Sequence, residues 1–354
     1  MKKLKKLAAI DMFCGAGGLT HGLKLSGINV IAGFDIDETC KYAYEENNQA
    51  KFISKDIRQI SGKEILDFFP DNSEKIMVGC APCQTFSTHT HKVSDRDKDQ
   101  KWGLITEYLN KILEVQPSIV SMENVAGITK YPIFTNFVSS LESEGYSVSY
   151  QIVFCPDYGI SQTRRRLVLL ASKYGPICLI KPTHNKDNYL KVKDIIGNLP
   201  AIKDGEADEN DSLHFAASLS PLNKKRMRAS KPGGSWMDWP KSMRADCHKK
   251  ESGSSYKSVY ARMAWNAVAP TITTQFYNFG TGRFGHPSQD RALSVREGAL
   301  IQTFPLTYKF VPHGETVKKN TVCRMIGNAV PVRLGQVIGE SILQHLAAYQ
   351  RLGN

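Results

Sequence analysis

The front of the chain constrains its fold most. Two short apolar runs, LAAIDMF and NVIAGFDID, lie on either side of GAGGLTHGLKLSG, which starts with small residues and continues at helical spacing. Runs this short read as buried strands, and a helix between two of them brings the second back parallel to the first. EKIMVGCAP, SIVSMENV, SVSYQIVFC and RRRLVLLAS supply further strands, with helix-like ITEYLNKILEV and PIFTNFVSSLESEGY between them. The spacing predicts one α/β domain over residues 1–180, Rossmann-like, with a mostly parallel sheet flanked by helices.

After Gly175 the alternation stops. Residues 181–285 read as a second, smaller, irregular domain; between 211 and 265 there are eleven Lys or Arg against four Asp or Glu. Residues 286–354 are expected to support that domain and then, in the helical pattern after Pro331, to return to the first. A formal net charge of +12 suggests a polyanionic partner. No apolar run approaches the ~20 residues that cross a membrane, so a soluble, cytoplasmic protein without a membrane partner is expected. The opening MKKLKKLAAIDM imitates a secretory signal, but Asp11 interrupts it early and it reads as a basic lead-in to a strand. Eight cysteines with one CxxC and no regular framework read as reduced thiols.

Chemistry concentrates at predicted strand ends. In DMFCGAGG the glycines follow a strand and open a helix, where backbone can approach a ligand and the helix offers unpaired amides. Asp35 ends the next strand, where a carboxylate can hold ribose hydroxyls. A nucleoside-containing cofactor is implied, although glycines at such a turn also serve structure alone. GCAPCQTFS carries Cys80 and Cys83, which as a pair could be a redox dithiol, half of a zinc site, or one nucleophile beside a bystander. The polar stretch Gln84–Gly103 after it reads as a lid or as a surface insertion. His89 and His91 on it lack further metal-type partners, so they read as solvated or phosphate-facing and no metal is expected. Glu123 ends SIVSM, where partial burial favours a proton-bearing carboxyl, and Asn124 could cap a helix. In QTRRR, Arg164 and Arg166 alternate along an extended segment and are expected to share one face, though arginine runs are usually solvated.

In this order the stretches resemble the DNA cytosine-5 methyltransferases that use S-adenosylmethionine, of the bacterial restriction-modification type. DMFCGAGG resembles the first cofactor motif, APCQTFS the nucleophile motif, MENV the glutamate motif, QTRRR the arginine motif, IGNAVP the C-terminal motif, and RALSVREGALIQTFP the element supporting the target-recognition domain. Departures are small: Cys14 stands where serine or alanine is common, Cys80 where glycine is common, and GNAVPV replaces GNAVPP.

The resemblance implies a DNA (cytosine-5-)-methyltransferase acting on double-stranded DNA, with residues 181–285 as target-recognition domain. Cys83 would add to C6 of a flipped-out cytosine, Glu123 would act at N3 and the exocyclic amine, Arg166 would contact O2, and Arg164 would brace the loop or a phosphate. The cofactor would lie against Phe13, Gly15, Ala16, Gly17, Gly18, Asp35, Ile36, Asp56, Ile57, Pro82, Leu104, Asn328 and Ala329, with Asp35 at the ribose, Asp56 at the adenine amine and Ile36 as an apolar wall. Cys80 would only pack beside the cofactor. Gln84 and Ser87 would face DNA on the closing loop. The protein would act as a monomer on DNA, with a cognate endonuclease sharing its site but not a stable complex. Two rival readings stand beside this one: a thiol or nicotinamide oxidoreductase using Cys80 and Cys83, and a DNA-binding module on an inactive methyltransferase fold.

Overall fold

Seven strands make one sheet in the order β3-β2-β1-β4-β5-β7-β6. They are β1 (Leu7–Met12), β2 (Val30–Asp35), β3 (Lys51–Ser54), β4 (Glu74–Gly79), β5 (Ile119–Val125), β6 (Ser147–Phe154) and β7 (Arg165–Ser172). The pairs β3-β2, β2-β1, β1-β4 and β4-β5 are parallel. β7 alone is reversed, antiparallel to both neighbours. Only residues 155–164 connect it to β6, fewer than the dozen or so that a parallel crossover needs. The reversal matters for the site, because it puts the start of β7 at the same sheet edge as the ends of β1, β2, β4 and β5. The computed structural model describes residues 6–82, 102–250 and 257–352.

Helices α1 (Gly18–Ser26), α2 (Lys41–Asn48), α3 (Gly62–Leu66), α4 (Trp102–Val115) and α5 (Pro132–Ser143) alternate with these strands. In α4 the buried residues Ile105, Tyr108, Ile112 and Val115 recur every three or four positions, making one apolar stripe. That stripe shares a core with alternate residues of the sheet: Ala8, Ile10 and Met12 of β1, Val120 and Met122 of β5, Leu167, Leu169 and Ala171 of β7. α5 opens on Pro132, whose missing N–H costs nothing at a first helical position.

Two compact units result, one comprising Met1–Tyr158, Arg165–Thr183 and Ala329–Asn354, the other Gly159–Arg164 and His184–Asn328. The second holds five helices among its described residues, α6 (Val192–Ile196), α7 (Pro221–Ala229), α8 (Asp246–Lys249), α9 (Val295–Ile301) and α10 (Lys319–Asn328). Its regular structure is sparse, and two features hold it. A small core joins Met227, Trp236, Trp239, Phe279 and Ala292, and the Trp239 indole N–H donates to Ser230 Oγ at 2.9 Å. The fully buried Arg291 donates two hydrogen bonds to the fully buried Glu297, at 2.8 and 2.7 Å.

α11 (Val332–Leu352) belongs to the first unit and packs on α1. The helices approach closely because glycines face each other: a Cβ on Gly22 would stand 2.2 Å from the Val332 carbonyl oxygen, and one on Gly335 2.8 Å from that of Leu19. The contact units place the boundaries differently from the sequence reading: the first unit resumes to Thr183, and residues 286–328 group with the segment before them. Residues 159–164 leave the first unit, because Thr163 N–H donates to Ala269 O at 2.8 Å and Ile272 N–H to Gln162 Oε1 at 3.0 Å.

Candidate active site

β1 ends in a turn whose backbone is left-handed at three positions, Phe13 (φ 63°), Gly15 (φ 50°) and Gly17 (φ 88°). Glycine takes that conformation freely, whereas at Phe13 it is costly, as strained residues at ligand sites often are. A Cβ on Gly15 would meet nothing within 4 Å, so conformation alone, not crowding, calls for glycine there. The Gly15 N–H donates to Asp35 Oδ2 at 2.8 Å and the Asp37 N–H to Oδ1 at 2.9 Å, which ties the turn to the end of β2. Burial raises the Asp35 carboxyl above the ordinary range. Behind it Asp11 is pushed by burial up to about 7, against a 2.6 Å hydrogen bond donated by Thr20 Oγ1.

Ala16, Gly18, Ile36 and Ile57, also expected at the cofactor, follow the ends of β1, β2 and β3 along the chain. Ala16 is buried and Gly18 opens α1. Ile36 follows Asp35 and is 70% exposed. Ile57 is buried, while Asp56 is occupied: the Arg58 guanidinium donates to both its oxygens and holds it below the ordinary carboxylate range. Pro82 and Leu104 are half-buried. Asn328 ends α10 in the second unit and Ala329 belongs to the first.

Glu123 is buried, 2% exposed, at the end of β5. Its carboxyl lies between two neighbouring strands. From β7, Arg166 Nε approaches Oε1 to 3.1 Å, a charge contact without hydrogen-bond alignment. From the other side Cys80 Sγ donates to Oε2 at 2.8 Å. Cys80 is thus corrected from a packing residue to a partner of the glutamate; the missed signal was register, since Gly79 pairs with Met122 and the next step along both strands sets Cys80 beside Glu123. Asn124 does not cap the following turn. Its Nδ2 donates to Ala81 O at 3.2 Å and fixes the chain just ahead of Cys83.

Arg164 and Arg166 do not share a face. Arg166 meets Glu123 in the first unit, whereas Arg164 is buried in the second, donating to Ile272 O at 3.1 Å. Gln162, also buried there, donates to Gln302 Oε1 at 2.9 Å and so ties the arginine segment to the end of α9. Cys83, Gln84, Ser87, His89 and His91 lie outside the described residues.

A buried carboxyl thus lies between a thiol and a guanidinium, and at the turn after β1 Asp35 accepts the amides of Gly15 and Asp37. The family model for C-5 cytosine-specific DNA methylases matches residues 7–344. The chain belongs to that family. This methylase is therefore a DNA (cytosine-5-)-methyltransferase, and the oxidoreductase reading falls. It is 54% identical over 342 residues to the Type II methylase M.HgiDII of Herpetosiphon aurantiacus, covering 96% of each chain. It is 31% identical over 352 residues to the Type II methyltransferase M1.BsuMI of Bacillus subtilis, covering 93% of this methylase and 78% of that one. Among solved structures it is similar in fold to the S. pombe Dnmt2 methyltransferase, with a TM-score of 0.67 at 16% identity over 97% of this chain and 99% of that one.

Proposed function

We propose that this methylase modifies C5 of a flipped-out cytosine within a specific sequence of double-stranded DNA, through a covalent bond from Cys83 Sγ to C6. The observation that carries the reading is the Glu123 carboxyl held between Arg166 and Cys80 at the carboxyl ends of the strands, where α/β sheets bind ligands. S-adenosylmethionine fits the first unit. Gly15 leaves open space, Asp35 has lone pairs left for two hydroxyls after accepting two amides, and Ile36 offers an apolar face. Bound there, it supplies an electrophilic methyl group.

The residues of the chain do the rest. The Cys83 thiolate adds to C6, moving electron density to C5, while Glu123 gives a proton to N3 and Arg166 holds O2. After transfer N3 returns its proton to Glu123, a base takes the C5 proton, the C5–C6 double bond re-forms, and the Cys83 thiolate leaves. The base is extruded from the duplex to reach these groups, with Gln84 and Ser87 closing on the DNA. The second unit reads the flanking sequence, its exposed Lys225, Lys231 and Lys241 serving phosphates. The methylase's similarity to Type II methylases supports a role as the modification enzyme of a restriction-modification system; in this reading it acts in the cytoplasm, as a monomer, on a site shared with an endonuclease.

The test is transfer of labelled methyl from S-adenosylmethionine to DNA. Glu123→Gln is expected to keep cofactor binding and lose turnover by a factor on the order of 100 or more, within the range for a lost proton donor. Near-normal turnover removes Glu123 from the mechanism. A duplex carrying 5-fluorocytosine at the target should trap a denaturation-resistant adduct on Cys83, because no proton can leave C5. An adduct on Cys80 refutes the assignment.

A further inference from the structure

Glu123 must present one oxygen to a base, yet a carboxyl on a flexible stem turns readily about its last bond, and a misdirected donor loses rate steeply. Something has to stop that rotation. Arg166 faces Oε1 but is not aligned to hydrogen-bond it, so its pull on the carboxyl is electrostatic and weakly directional. The directional restraint comes from the opposite strand, where Cys80 Sγ donates to Oε2 at 2.8 Å. Cys80 is itself well anchored: its N–H donates to Met12 O at 3.2 Å, and the chain after it is held through Ala81 O by Asn124.

We propose that Cys80 is a positioning residue for Glu123, its thiol proton fixing Oε2 so that the carboxyl holds one orientation toward the base. The inference rests on the reading of Glu123 given above. It makes the two cysteines of GCAPC unequal in kind, Cys83 bonding to substrate and Cys80 acting only through the glutamate. A serine at position 80 keeps a donor at nearly the same reach, whereas alanine and valine remove it, and valine fills roughly the volume of the thiol.

The experiment compares Cys80→Ala, Cys80→Val, Cys80→Ser and Glu123→Gln in the full-length enzyme, measuring kcat, KM for DNA, and S-adenosylmethionine affinity by calorimetry. Cys80→Ala and Cys80→Val are expected to lower kcat about five- to ten-fold, in keeping with the loss of one buried hydrogen bond. KM and cofactor affinity should stay within about two-fold, and Cys80→Ser should restore kcat to within about two-fold. A donor role predicts this pattern; a packing role predicts that valine rescues and serine does not, and that result overturns the proposal. So does normal kcat in Cys80→Ala alongside an inactive Glu123→Gln. If instead Glu123→Gln is fully active, it is the catalytic reading that fails, and the positioning role falls with it.

Discussion

Glu297→Gln should unfold the second unit at markedly lower temperature. The carboxylate and the Arg291 guanidinium are both 0% exposed. The carboxylate takes two hydrogen bonds from Arg291, and Oε2 also accepts the Ser294 N–H at 2.7 Å, completing a capping box in which Glu297 N–H donates to Ser294 Oγ. Glutamine keeps the shape and one acceptor but turns an N–H₂ toward guanidinium donors and leaves the Arg291 charge buried without a counter-charge. Breaking a buried pair on one side costs about 3–5 kcal/mol. For a unit of about 150 residues each kcal/mol moves the midpoint by roughly 2–4 °C, so the drop is on the order of 10 °C. Burial alone would raise the Glu297 carboxyl, but Arg291 outweighs it and the net effect is a lowered pKa. The carboxylate's contribution is therefore full above the ordinary carboxylate range and is lost as pH falls through the depressed folded value. Calorimetric melts at neutral and acid pH check both statements. A variant that melts within about 2 °C of the parent at neutral pH would refute the argument, since that is less than 1 kcal/mol.

Gly22→Ala should destabilise the first unit by about 1–3 kcal/mol in urea unfolding, since its Cβ meets backbone of α11 rather than a movable side chain; an unchanged midpoint would mean the helices are further apart than described. His286, which burial lowers from 6.5 to about 4, should make stability fall as pH drops from about 6.5 toward 4, because only the unfolded chain then binds the proton. His286→Gln should flatten that slope in pH-dependent melts, and an equal slope would assign it elsewhere. Replacing residues 185–265 with the equivalent segment of a relative should change the methylated sequence and keep turnover; bisulfite sequencing of the product DNA reads the outcome, and an unchanged target contradicts the role given to the second unit.

The glycine turn and Asp35, the Glu123 strand end and the arginine segment were legible because each is set by local sequence: an apolar run that stops, a glycine where φ must be positive, a charge just beyond a buried strand. What depends on pairing was not. The direction of β7 and the meeting of Cys80 with Glu123 follow from sheet register, which no short stretch encodes. β3 went unread because KFIS is four residues long with only Phe52 fully buried. The basic run misled in part. Arg226 is buried against the rings of Trp239 and Tyr260, and Arg262 pairs with Asp290 at 2.6 Å, so some of that charge holds the unit together rather than awaiting phosphate.

The chain passes between its two units four times, at Tyr158, Arg164, Thr183 and Asn328. Residues 184–328 form a single continuous insert that recombination could exchange between genes in one event. The six residues Gly159–Arg164 would stay behind with the recipient. A transplanted insert would therefore have to supply the backbone at Ala269 and Ile272 and an amide at Gln302 for a resident Gln162 and Thr163. If the second unit sets target specificity as proposed, an exchange leaves most of the insert free to vary but requires this short seam to match on both sides.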